Sequence, residues 1–194
     1  FNGKSNYIPP CAGRDINNIK KMKHYEIWLK EAKEQEILCE LHGIQGDQKE
    51  IDDRFYRSLE FGTGGLRGVL GAGTNRMNVY TVGRATFGLA DYLLSKFQEN
   101  ASVVIAYDSR NKSAEFAYLS AEILSSKGIK TYVFSELMPT PVLSFAVRFL
   151  KATAGIVITA SHNPKEYNGY KVYNEFGCQI TDSAAKEILT NIEN

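Results

Sequence analysis

The sequence predicts an α/β fold: a mainly parallel three-layer α/β/α domain with an added antiparallel hairpin. Three observations carry this. Short apolar runs rich in β-branched residues, Ser102 to Tyr107, Ile129 to Phe134 and Ala154 to Thr159, alternate with helical stretches. A polar turn follows each run: Asp108-Ser109-Arg110-Asn111, Met138-Pro139-Thr140-Pro141 and Ala160-Ser161-His162-Asn163-Pro164. Strand, helix, strand, helix, strand is the order of a parallel sheet covered by helices. Finally, Tyr170 to Tyr173 and Cys178 to Thr181 flank Asn174-Glu175-Phe176-Gly177, the pattern of a hairpin.

The elements follow in order. Residues 1–21 are polar, contain Pro9-Pro10 and show no apolar periodicity. They read as a poorly structured leader segment, with Met22 as a candidate natural start and the domain running from 22 to 194. Its basic residues read as a solvated face. Tyr25 to Leu41 carries helical periodicity, with Trp28 as a core anchor, and Gly43 ends it. A shorter helix is expected from Lys49 to Ser58. Six glycines then lie between Gly62 and Gly73, around a single arginine, Arg67. Glycine permits close backbone approach to a ligand, and it serves bulges and tight turns equally. The stretch lacks the G-K-[ST] of a P-loop and the setting of a dinucleotide fingerprint. A guanidinium among flexible backbone suits a phosphate or a carboxylate.

Tyr80 to Phe97 is an amphipathic helix with Ala85, Leu89, Tyr92, Leu93 and Phe97 on its apolar side. Ser113 to Lys127 is helical and stops at Gly128. Pro141 opens a helix that reaches Leu150. Asp182 is positioned to cap a last helix, Ser183 to Ile192.

Composition bounds the function. The chain has 194 residues and a formal net charge of +1, so no strong field invites nucleic acid or another polyanion. No apolar run approaches the roughly 18 residues of a membrane span. Cys11, Cys39 and Cys178 are scattered, as are His24, His42 and His162, and none clusters as a zinc site would. Free thiols in a reducing cytoplasm are expected.

The ends of parallel strands lie along one sheet edge, so Arg110, Thr140 and Ser161 are candidates for one crevice. Ser161-His162 invites comparison with a hydrolytic dyad. Adjacent residues seldom present their side chains to each other, and neither a G-x-S-x-G elbow nor an obvious aspartate partner is present. A turn serine, a loop histidine and a snorkelling strand lysine are the structural alternatives for Ser161, His162 and Lys171. A hydroxyl surrounded by His162, Asn168, Lys171 and arginines suits covalent phosphoryl transfer better.

Thr159-Ala160-Ser161-His162-Asn163-Pro164, with Tyr167-Asn168-Gly169-Tyr170-Lys171 behind it, resembles the phosphoserine loop of the α-D-phosphohexomutases. Phe61 to Gly68 resembles that family's F-G-T-x-G-L-R-G signature. Asp108-Ser109-Arg110 and Pro139-Thr140-Pro141 match in order and spacing, and the likeness extends from Met22 to Asn194. The N-terminal helices and Gly71-Ala72-Gly73-Thr74-Asn75-Arg76 look most like the phosphoglucomutase and phosphopentomutase branch.

The resemblance implies the first of four domains, with Ser161 as phosphoryl carrier in the exchange of a hexose 1-phosphate and a hexose 6-phosphate, glucose foremost. A 1,6-bisphosphate would be the intermediate, and glucose 1,6-bisphosphate the activator. It implies Lys171 and Arg67 in the acid/base region, Arg67 acting as an electrostatic partner because its pKa is too high to carry a proton. His162 would position the substrate, while Thr63, Gly64, Asn163, Asn168, Arg110 and Thr140 would bind it. It implies one Mg²⁺ per full-length enzyme, held by the Ser161 phosphate and by a D-G-D-x-D-R loop that this sequence lacks. The partners implied are a phosphosugar and domains two to four of the same polypeptide, in the cytoplasm, and the fragment alone is expected to be inactive. Phosphomannomutase or phosphopentomutase specificity, or a non-catalytic phosphosugar-binding module, is the alternative.

Overall fold

The computed structural model describes residues 12–62 and 64–193. The chain divides into two units: one takes the chain up to Ser58 together with Ala72–Asn75, the other Leu59–Gly71 and Arg76 onward.

The first unit holds three helices, α1 (Ala12–Glu31), α2 (Gln35–Gly43) and α3 (Gln48–Phe55). The continuous helix expected from Tyr25 to Leu41 is broken at residues 32–34, and α1 begins well ahead of Tyr25. The expected boundary at residue 21 therefore falls inside a helix; residues 1–11 of that leader segment lie outside the described residues. No glycine or proline marks the break. Its cause is tertiary: the Tyr25 hydroxyl donates to the Leu41 carbonyl at 2.9 Å. In an unbroken helix those residues, 16 apart in sequence, would sit roughly 24 Å from each other. Phe55 closes this core, meeting the rings of Tyr25 and Trp28 edge-on at 5.8 Å each. Asp47 caps α3 by accepting from the amides of Lys49 and Glu50. Arg54 joins Glu40 at 2.8 Å and Glu50 at 3.1 Å, and donates to the Ala72 carbonyl.

The second unit is built on one five-stranded sheet in the order β1-β5-β4-β2-β3. The strands are β1 (Gly65–Val69), β2 (Ser102–Tyr107), β3 (Lys130–Val133), β4 (Ala154–Ile158) and β5 (Tyr167–Asn174). The β3, β2 and β4 strands are parallel, as their alternation with helices predicts; β5 runs antiparallel to β4 and β1. The helices are α4 (Val79–Phe97), α5 (Ser113–Ser126), α6 (Thr140–Phe149) and α7 (Asp182–Glu193). A 3-10 turn at Gln98–Asn100 joins α4 to β2.

Alternation along the strands makes the three layers. Val103 and Ile105 of β2, with Ile156 and Ile158 of β4, meet Leu89, Leu93, Phe116, Leu124 and Ile188 from α4, α5 and α7. Val104, Ala106 and Val157 point the other way, onto Leu143, Ala146 and Val147 of α6. Both faces of β2 and β4 are thus buried, which is why those strands read as continuous apolar runs rather than alternating ones.

Two elements differ from the sequence reading. The glycine-rich stretch contains β1, which pairs with β5 in the register Arg67↔Gly169. A five-residue strand with two glycines carries almost no periodic signal, and its pairing depends on residues about a hundred positions away. The expected hairpin shrinks to one bridge, Tyr173↔Gln179, because β1 already occupies that edge of β5 as far as Lys171. The last helix starts at Asp182, which puts Thr181 at the cap position.

Candidate functional site

The candidate site belongs to the second unit and sits where β4 leaves the sheet. Beyond Ile158, pairing with β5 continues for one more bond, from the Thr159 amide to the Gly169 carbonyl at 2.9 Å. The chain then turns sharply. Ser161 has φ 54°, in the left-handed region that non-glycine residues seldom adopt. Its amide donates to the Thr159 hydroxyl at 3.0 Å, and the Asn163 amide to the Ala160 carbonyl at 3.1 Å. The turn leaves the Ser161 side chain exposed at the loop crest.

Lys171 reaches this crest from β5. Its ammonium donates to Ser161 Oγ at 2.7 Å. Partial burial is the main influence that lowers the Lys171 pKa, and the nearby Arg67 charge adds to it, while Asp108 opposes both. Arg67 lies on β1 directly opposite Gly169, two residues from Lys171, so both cations occupy one face of the β1–β5 ribbon. Arg67 Nη1 donates to Asn163 Oδ1 at 3.3 Å. Gly169 makes room between them: a Cβ there would meet the Thr159 carbonyl oxygen at 2.6 Å. One exposed hydroxyl, one lysine of lowered pKa and one guanidinium therefore converge on one spot.

The structure brings together four of the residues proposed from the sequence: Ser161, Lys171, Arg67 and Asn163. His162 is exposed beside Ser161, with no hydrogen bond from its ring among the described residues. Thr140 opens α6 after β3, with β2 between β3 and β4. Among the described residues, no hydrogen bond joins it to the Ser161 loop. Thr63 lies outside the described residues.

Three residues expected to bind substrate make their hydrogen bonds within the protein. Arg110 spends its guanidinium on the loop itself: Nη1 donates to the carbonyls of Pro164 at 2.8 Å and Tyr167 at 3.0 Å, Nη2 to those of Ser161 at 2.8 Å and Asn163 at 2.6 Å. Asn168 is fully buried, donating to the Asn111 carbonyl and the Ser113 hydroxyl, while its own oxygen accepts from the Gly169 amide. Gly64 is buried too. Its carbonyl takes the Val172 amide at 2.9 Å, and a Cβ on it would run into the Gln179 side chain. In each case polar groups removed from water are satisfied inside the protein: Arg110 by the Ser161 loop, Asn168 by Asn111 and Ser113, Gly64 by Val172.

Sequence reasoning missed Thr159, Asp108 and Ser113 as supports. Asp108 Oδ1 accepts from the Ser113 hydroxyl at 2.7 Å and from the Arg110 amide at 3.0 Å. The Asp108-x-Arg110 spacing was a signal for that turn, since aspartate accepts from the amide two residues on. The Thr159-x-Ser161 spacing carries the same signal more weakly, because a threonine hydroxyl can accept from the amide two residues on.

Among the described residues no group of three or more His, Cys, Asp and Glu could hold a metal. Magnesium asks for octahedral oxygen ligands. Ser161 Oγ is a single oxygen beside two cations, so the described residues of this loop offer magnesium one ligand of the several it needs. No helix among the described residues is long and apolar enough to cross a membrane.

Comparison with known proteins agrees with this geometry. Residues 58–194 match the family model for phosphoglucomutase/phosphomannomutase, alpha/beta/alpha domain I. A phosphoglucomutase of Staphylococcus haemolyticus strain JCSC1435 is 50% identical over 140 residues, 72% of this chain and 25% of that protein. A phosphoglucomutase of Staphylococcus aureus strain MRSA252 is 42% identical over 170 residues, 87% of this chain and 30% of the relative. The chain thus spans 25–30% of the length of these relatives. A crystal structure from Thermus thermophilus, provisionally assigned as a phosphomannomutase, superposes with TM-score 0.65 and 34% identity, over 70% of this chain and 30% of that one. A phosphoglucomutase/phosphomannomutase family protein of Burkholderia thailandensis shares the fold, with TM-score 0.58 and 24% identity over 69% of this chain and 29% of its own. A serine held in left-handed backbone against a lysine, on a sheet of this order, is thus found in a chain that belongs to the phosphoglucomutase/phosphomannomutase family and carries its α/β/α domain I.

Proposed function

We propose that this domain supplies the phosphoryl carrier of a phosphosugar mutase, with Ser161 as carrier and glucose phosphates as the preferred substrates. The observation that carries the reading is the 2.7 Å bond from Lys171 Nζ to Ser161 Oγ. A serine hydroxyl is a weak nucleophile until a neighbouring base takes its proton, and a phosphoserine oxygen is a poor leaving group until an acid supplies one. A lysine of lowered pKa within bonding distance can do both.

In the forward step a sugar hydroxyl attacks the phosphorus on Ser161; the new P–O bond forms as the bond to Oγ breaks. Lys171 gives its proton to Oγ, and the proton released by the attacking hydroxyl restores the ammonium. The sugar leaves this step as a 1,6-bisphosphate. In the return step Oγ attacks the other phosphate as that phosphate's bond to the sugar oxygen breaks; Lys171 gives its proton to the leaving sugar oxygen and takes the Ser161 proton in its place, so the ammonium is restored. The Arg67 guanidinium offsets charge on the transferring phosphoryl group. His162, exposed beside the serine, contacts the sugar or its phosphate. A magnesium ion on the phosphoserine would draw its other ligands from polypeptide outside this chain.

Glucose is favoured over mannose or pentose because the relatives of 42–50% identity are named phosphoglucomutases. The test uses the full-length polypeptide that carries this domain. It is incubated with Mg²⁺ and glucose 1,6-bisphosphate, and the covalent phosphate is located by peptide mass spectrometry. Phosphate on Ser161 and loss of turnover in Ser161→Ala are expected. Phosphate elsewhere, or full turnover in that variant, would sink the reading. A phosphosugar-binding protein with no covalent phosphate and no turnover would be the non-catalytic alternative.

A further inference from the structure

We propose that Arg110 is a positioning residue: its guanidinium fixes the backbone of the Ser161 loop and thereby holds the serine on Lys171, and this rests on the reading of Ser161 as phosphoryl carrier. Arginine carries five N–H donors in a rigid fork. Four of them go to the carbonyls of Ser161, Asn163, Pro164 and Tyr167, at 2.6–3.0 Å. The fifth, Nε, faces Asp108 Oδ2 at 3.6 Å. The side chain is only 16% exposed. No donor is left for a substrate phosphate.

The loop needs such a clamp. Four carbonyls turned inward over seven residues repel one another unless a cation sits among them, and Ser161 occupies a backbone region that costs energy without support. Asp108 steadies the arginine in turn. It accepts from the Arg110 amide and from Ser113, which bonds the buried Asn168 of β5. The turn after β2, the start of α5, the loop after β4 and β5 are thereby joined through one guanidinium. Lysine cannot replace it, because an ammonium has three donors and no planar fork.

The test compares wild type, Arg110→Lys and Arg110→Ala in the full-length polypeptide. Amide exchange over residues 161–167 is expected to rise at least about tenfold in both variants, while amides within β4 stay protected. The kcat is expected to fall on the order of 100-fold, since displacement of a reacting group by about 1 Å costs that much, with KM for the phosphosugar within about threefold of wild type. The lysine variant keeps the positive charge and guards against an alanine variant that fails to fold. A raised KM at unchanged kcat would mean that Arg110 binds substrate and would overturn the proposal. So would unchanged exchange in the loop, whatever happens to activity. The exchange measurement does not depend on the chemistry assigned to Ser161, so an error in that assignment, seen in Ser161→Ala, is told apart from an error about the clamp.

Discussion

At the scale of single residues, the electrostatics of Lys171 decide how the site can work. A lysine at its ordinary value of 10.5 would be almost wholly protonated near neutrality and a poor base; burial and the Arg67 charge both push it down. The consequence for stability has a definite sign. With the folded pKa below the unfolded one, the unfolded chain binds more protons in the window between them, so this group's contribution to stability rises with pH there. Replacing Arg67 with Gln removes one of the two lowering influences. The Lys171 pKa, followed by carbon NMR of its Cε, should move upward in that variant, and the rising limb of the mutase pH profile should move with it. An unchanged titration in Arg67→Gln would show that the two cations do not sense each other. Lys171 was legible as a candidate because it follows the serine motif at short range. Arg67 needed the β1–β5 pairing to be brought beside it.

At the scale of elements, α4 and β4 show how local chemistry and close approach fix the frame. Asn78 caps α4: its side-chain oxygen accepts from the amides of Tyr80 and Thr81, and the Thr81 hydroxyl accepts in return from the Asn78 amide. Asn78→Ala should lower stability by about 1 kcal/mol, read from chemical denaturation at unchanged m-value. On the other face, Gly155 of β4 lets α6 lie close. A Cβ there would meet Val147 Cγ2 at 2.6 Å and Leu143 Cδ2 at 3.2 Å. Gly155→Ala should therefore cost about 1–3 kcal/mol through overpacking. If that variant unfolds at the same denaturant concentration as wild type, α6 is not held as tightly as the distances say. Helices α4 to α6 were legible from their periodicity and start signals. The α1–α2 break and β1 were not, because the contacts that create them are remote in sequence.

At the scale of the whole molecule, the second unit presents an exposed serine with no cluster of metal ligands among the described residues. The chain spans 25–30% of its relatives. Titrated with Mg²⁺ in a calorimeter, the chain alone should show no saturable binding below millimolar concentration. In a coupled assay it should not convert glucose 1-phosphate to glucose 6-phosphate. Tight Mg²⁺ binding by this chain would mean that Ser161 has oxygen partners within it. The exposed thiols Cys39 and Cys178 form no disulfide, and Cys11 lies outside the described residues.

The sequence by itself determined the class of fold, the parallel character of β2, β3 and β4 and the serine loop with its lysine, because those depend on periodicity and on residues close together in the chain. Tertiary structure alone decided which polar residues remain available to a ligand. Arg110, Asn168 and Gly64 have the chemistry of ligand-binding residues, yet buried polar groups must find partners: the Ser161 loop engages Arg110, Asn111 and Ser113 engage Asn168, and Val172 engages Gly64. It also decided that Arg67 shares a face with Lys171, because strand register, which no local pattern encodes in a glycine-rich strand, sets that neighbourhood.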